Sequence, residues 1–168
     1  MKYPESYLRS HDIDWFCVAN GVYIHFASAG GDIPNQINDV ERLRKVQNQV
    51  ASLPDIYSNE EIVYNEIAIT NAIGPNGAKE RDSYIESFTA MARKGFASFD
   101  RTNLGDLEDN RYHLVCQPKS FERKPHGVEL YTVATDISFE DWTKAEHLEF
   151  LEEFLKKNKD SNDNQPNG

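Results

Sequence analysis

The chain has 168 residues, a length that suits one domain and allows a sizeable core without disulfides or structural metals. Hydrophobic residues make up 39% and aromatic residues 11%, so the body is expected to fold rather than stay disordered. The formal net charge of −10 argues against non-specific binding to nucleic acid or to an anionic membrane surface, and it permits a basic protein partner.

The first residues, Met-Lys-Tyr-Pro-Glu-Ser-Tyr, lack the apolar stretch of a signal peptide, and no run approaches the roughly 18 apolar residues that cross a membrane. A cytoplasmic protein is the default expectation. Pro4 suits the first turn of a helix and Glu5 its positive end, so a helical turn is expected ahead of residue 13.

Asp14–Gly31 is the most legible stretch. Asn20-Gly21 lies between two runs of apolar and β-branched residues and supplies the two positive φ angles of a type I′ hairpin turn. Counting outward pairs Ala19 with Val22, Val18 with Tyr23, Cys17 with Ile24, Phe16 with His25 and Trp15 with Phe26. Alternation then puts Trp15, Cys17, Ala19, Val22, Ile24 and Phe26 on one apolar face. The other face carries Asp14, Phe16, Val18, Tyr23, His25 and Ala27, with Asp14 diagonal to His25.

Gly30-Gly31-Asp32-Ile33-Pro34 reads as a turn before a helix over 36–52, whose Ile37, Val40, Leu43, Val46 and Val50 recur at steps of three and four. Asn38 and Glu41 resemble a capping pair, and Leu53-Pro54 ends the helix. Glu60–Ile69 is predicted as a strand, Thr70–Ala78 as a loop and 79–94 as a second helix closed by Gly95. Phe96–Arg101, Tyr112–Gln117 and Val128–Thr135 read as strands, separated by the acidic Asn103–Asn110 loop and the polar Lys119–His126 loop. Ser138 caps a last helix carrying Phe139, Trp142, Ala145, Leu148, Leu151, Phe154 and Leu155. The expected order is ββαβαβββα, an α+β domain over 1–157 with a mixed, mostly antiparallel sheet of about six strands and three main helices. The polar residues 158–168 are expected to form a disordered tail.

Five groups of residues invite a chemical reading. His11, Asp12, Asp14 and His25 have the ligand chemistry of a divalent site, Zn or Mn, and Asp14 with His25 that of an acid–base pair. The plainer account makes His25 a sheet residue between Phe16 and Tyr23, and it expects no cofactor. Ser28–Asp32 could present backbone N–H groups to phosphate, but it lacks both common phosphate-loop spacings and puts Asp32 at the mouth, so a tight turn is the better reading. Ile73–Gly77, with Lys79 and Arg81 beyond, reads as an ordinary connection rather than a mobile binding loop. Cys17 on the core face and Cys116 in mid-strand, with His113 on the opposite face, make a thiol nucleophile a poor reading and buried free thiols the expected one. Tyr3, Tyr7, Phe121, Phe139 and Trp142 are either core or an exposed aromatic patch.

These observations favour a module that binds a protein or small ligand without catalysis. The alternatives are a metal-assisted or His/Asp hydrolytic enzyme at the open end of the hairpin, and a homo-oligomer joined through sheet edges.

Overall fold

A computed structural model describes residues 1–75, 77–109 and 111–133. The predicted helix from Ser138 and the tail 158–168 lie outside the described residues. Helix α1 (Glu5–Ser10) starts after Pro4 and buries Leu8. It leads into β1 (Asp14–Ala19) and β2 (Val22–Ala27), which pair antiparallel in the register expected from the Asn20-Gly21 turn. Both turn residues have positive φ, 50° and 75°.

Helix α2 spans Val40–Ala51, four residues shorter at its start than expected. Asp39, not Asn38, caps it by accepting from the Arg42 N–H at 3.1 Å. Asn38 instead braces the N-terminal segment: it accepts from the Tyr3 N–H and donates to the Tyr3 carbonyl. The predicted strand 60–69 is also corrected. Only Ile62–Tyr64 (β3) is strand; Asn65 then accepts from the Ala68 N–H and opens helix α3 (Glu66–Ile73) inside what read as strand and loop. Helix α4 (Ala78–Arg93) matches its expected span within a residue, and Gly95 past its end has φ 101°.

β4 (Phe96–Arg101) and β5 (Tyr112–Pro118) follow, and β6 is a three-residue strand, Tyr131–Val133. Val128 and Leu130, expected in that strand, precede it and pack against the cluster of Phe16, Val46, Val50 and Phe96. The α+β class holds. The six strands form one mixed sheet in the order β3-β5-β4-β2-β1-β6. β1/β2, β3/β5 and β4/β5 are antiparallel; β2/β4 and β1/β6 are parallel.

The parallel β2/β4 pairing needs a long crossover, and that crossover is α2–β3–α3–α4. Helices α2 and α4 therefore cover the second face of the sheet. The expected apolar face is core: Trp15 stacks on Phe26 at 4.0 Å between ring centres and meets Tyr112 edge-on at 6.0 Å, within a cluster holding Cys17, Ile24, Phe99 and Leu114. The face expected to be mixed is covered in part: Phe16, His25 and Ala27 are buried, while Asp14, Val18 and Tyr23 are half-buried. Phe16 and Phe96 meet Val46 and Val50 of α2, while Ala27, Val115 and Cys116 meet Ile85, Phe88 and Ala92 of α4.

Candidate functional site

The polar residues of the helix-covered face are placed by strand register. The hairpin puts Asp14 diagonal to His25, and the parallel β2/β4 ladder sets Ser98 beside His25. His25 Nε2 lies 2.8 Å from Asp14 Oδ1 and His25 Nδ1 lies 2.6 Å from Ser98 Oγ. An ionised carboxylate only accepts, so Nε2 carries the hydrogen, and in the neutral imidazole Nδ1 accepts from the Ser98 hydroxyl. His25 is 1% exposed and Ser98 0%, whereas the Asp14 side chain is 49% exposed. Phe16 and Phe88 close over the imidazole, with ring centres 5.3 and 6.1 Å away.

A second row lies one ladder step along the same face. Asp100 stands opposite Ala27 on β2 and His113 on β5. Tyr84 of α4 donates to Asp100 Oδ2 at 2.7 Å, and its oxygen is 3.0 Å from His113 Nε2. His113 Nδ1 is 3.1 Å from Thr102 Oγ1, and Asp100 Oδ1 accepts from the Arg101 N–H at 2.9 Å. Burial pushes the Asp100 carboxyl up to about 6, against the downward pull of those two donors. Burial, with Asp100 beside it, also raises the Tyr84 phenol well above its ordinary value.

The four residues first considered as metal ligands do not form one set. Asp14 and His25 meet, as their diagonal requires. His11 turns away: its Nδ1 is 2.9 Å from both Ser10 Oγ and the Tyr7 carbonyl, and its ring stacks on Tyr7 at 3.8 Å. Asp12 accepts from the Ala29 N–H at 2.7 Å. Among the described residues no three His, Cys, Asp or Glu side chains are gathered so as to hold a metal ion.

The Ser28–Asp32 turn offers no anion cradle. The N–H groups of Ser28, Ala29, Gly30 and Gly31 are bonded to Ile13, Asp12, His11 and Ser28 oxygens respectively. The turn closes over Arg101, which is buried and donates to the carbonyls of Ala29 and Asp106. Ile73–Gly77 is described except for Asn76; beyond it Arg81 pairs with Glu66 and lies over the Tyr64 ring. Burial raises both thiols, Cys17 and Cys116, to about 12, which removes the nucleophilic thiolate. Tyr3, Tyr7 and Phe121 are partly buried against the Trp15 cluster; Phe139 and Trp142 lie outside the described residues.

Ser98, Asp100, Tyr84 and Thr102 were missed from sequence. The available signal was the alternation in Phe96-Ala97-Ser98-Phe99-Asp100, which puts Ser98 and Asp100 on one face of a buried strand. Compared with protein-family models, curated proteins and solved structures, the chain matches none.

The first row has the residue types of a serine–histidine–aspartate relay with the imidazole nitrogens exchanged, Nδ1 facing Ser98 and Nε2 facing Asp14. Among the described residues its serine is 0% exposed and its hydroxyl is bonded to His25.

Proposed function

We propose that the chain is a protein-binding module whose contact surface is the β3 edge of the sheet together with α3. One observation carries this reading. Helix α3, Glu-Ile-Ala-Ile-Thr-Asn-Ala-Ile, is apolar around most of its circumference, yet Ile69 is its only buried side chain and Ile67 is 71% exposed. A helix of this kind is ordinarily buried against something. Val63 on the neighbouring edge strand adds to the patch at 44% exposure.

Charge narrows the partner. Glu66 and Asp82 share the single guanidinium of Arg81, and Glu60 beside the strand is exposed. With the net charge of −10, this rim suits an apolar anchor flanked by lysine or arginine. The Asp14–His25–Ser98 row, buried at His25 and Ser98, then serves the fold.

The test is site-specific photo-crosslinking in the cells that make the protein. A photoreactive side chain at position 67 is expected to give one discrete adduct with a basic protein. Val63→Glu is expected to abolish it, and the same probe at position 104 to lack it. Equal adducts at both positions, or none at 67, would contradict the reading. An adduct of twice the chain mass would replace the basic partner with a second copy of this chain.

A second reading, a serine hydrolase, is favoured by the Ser98–His25 and His25–Asp14 distances of 2.6 and 2.8 Å, and it is opposed by the burial of Ser98.

A further inference from the structure

The second polar row has a fixed hydrogen direction. With Asp100 ionised, the carboxylate accepts from the Tyr84 hydroxyl. Tyr84 has one hydrogen, now committed, so the contact with His113 Nε2 must be donated by the imidazole. Neutral His113 then has a bare Nδ1, which accepts from the Thr102 hydroxyl. The direction runs Thr102 to His113 to Tyr84 to Asp100, and every donor in it is used.

Besides a proton placed directly on another lone pair of the Asp100 carboxylate, which would leave His113 in one tautomer, adding one proton along this chain leaves two arrangements. In one, His113 becomes an imidazolium facing a carboxylate through Tyr84, two buried charges. In the other, Nδ1–H forms at His113, the Nε2 hydrogen passes to Tyr84, and the former Tyr84 hydrogen passes to Asp100 Oδ2. All groups are then neutral and each hydrogen bond is kept with its direction reversed. A buried site disfavours the charged arrangement. We infer that the row is a proton wire in which His113 changes tautomer, not charge, when Asp100 takes up its proton from solvent at the Thr102 end.

The groups facing Asp100 are consistent with this. Tyr84 comes from α4, His113 from β5, His25 from β2, and Asp12 from the segment before β1, where its charge raises the Asp100 carboxyl. On its own strand Arg101 offers Asp100 its backbone N–H, while its guanidinium bonds the Ala29 and Asp106 carbonyls. Cys116 of β5 faces Tyr84 as a neutral thiol. The same network joins α4 to the sheet, and α4 holds α3 through the Arg81–Glu66 pair, so the wire and the proposed contact surface share α4 without the wire depending on that surface.

The experiment is ¹⁵N–¹H correlation spectroscopy of the imidazoles in the uniformly labelled protein from about pH 5 to 8, the range in which histidine ordinarily ionises. His113 is expected to switch from the Nε2–H to the Nδ1–H pattern as pH falls, with one midpoint and no imidazolium signature. Asp100→Asn is expected to abolish the switch, and Tyr84→Phe to turn it into ordinary imidazolium formation. His25, held between Asp14 and Ser98, is the internal comparison. An imidazolium signature at His113 in the wild type, one tautomer across the range, or a switch that persists in Asp100→Asn would overturn the inference. If Tyr84→Phe fails to fold, the wild type and Asp100→Asn decide it alone.

Discussion

Asp14–His25–Ser98 and Asp100–Tyr84–His113–Thr102 lie side by side on one face of the sheet, and each passes through an imidazole bonded at both nitrogens. They differ in where the carboxylate sits. Asp14 is half in water, so solvent shares the work of stabilising its charge; Asp100 is buried beneath α4 and depends on two protein donors. The same residue types therefore sit in two settings, a carboxylate shared with solvent in one row and a carboxyl raised by burial in the other. Burial of the acid, not the presence of histidine, makes the difference.

The largest effect is expected from breaking the first row at its centre. His25→Ala leaves the Ser98 hydroxyl buried without a partner and opens a cavity under Phe16 and Phe88, so denaturant unfolding should show a loss of about 3–4 kcal/mol. Next comes the buried carboxyl. Its folded value of about 6 is raised above the ordinary 3.8, so its contribution is fully present below about pH 4 and is lost as pH rises through 6. Asp100→Asn should remove about 2–3 kcal/mol of that pH dependence and match or exceed wild-type stability at pH 8, read from unfolding curves across the range. Gly31→Ala probes the support below both rows. A Cβ there would stand 2.7 Å from Arg101 Cδ and 3.0 Å from the Ser28 carbonyl, and a loss of about 1–2 kcal/mol is expected in the same assay. Asp14→Asn should be the mildest, about 1 kcal/mol or less, because the side chain it alters is half exposed. If Asp14→Asn removed more of the pH dependence of stability than Asp100→Asn, the contrast between the rows would be reversed.

The hairpin was legible because its signals are local. Asn20-Gly21 selects the turn, alternation selects the faces, and Asp14–His25 follows by counting. Ser98 was not, because its neighbour His25 lies across a parallel ladder closed by the long crossover through α2, β3, α3 and α4, and no short-range pattern records that pairing. His11 and Asp12 misled by adjacency: α1 ends at Ser10, and the next two side chains are taken by the Tyr7 carbonyl and the Ala29 N–H. The run Ile62–Ile69 misled through its β-branched residues, while Asn65 acted as a helix cap in their midst. Tertiary pairing and capping outweighed residue preference there.

The contrast rests most directly on Ser98 and His25 being buried while Asp14 meets solvent, and it is tested by intact-mass measurement after incubating the folded protein with a fluorophosphonate serine probe. The account predicts no adduct at Ser98, because the hydroxyl is buried and occupied by His25. One stoichiometric adduct on Ser98 that disappears in His25→Ala would contradict it and make this face an active site.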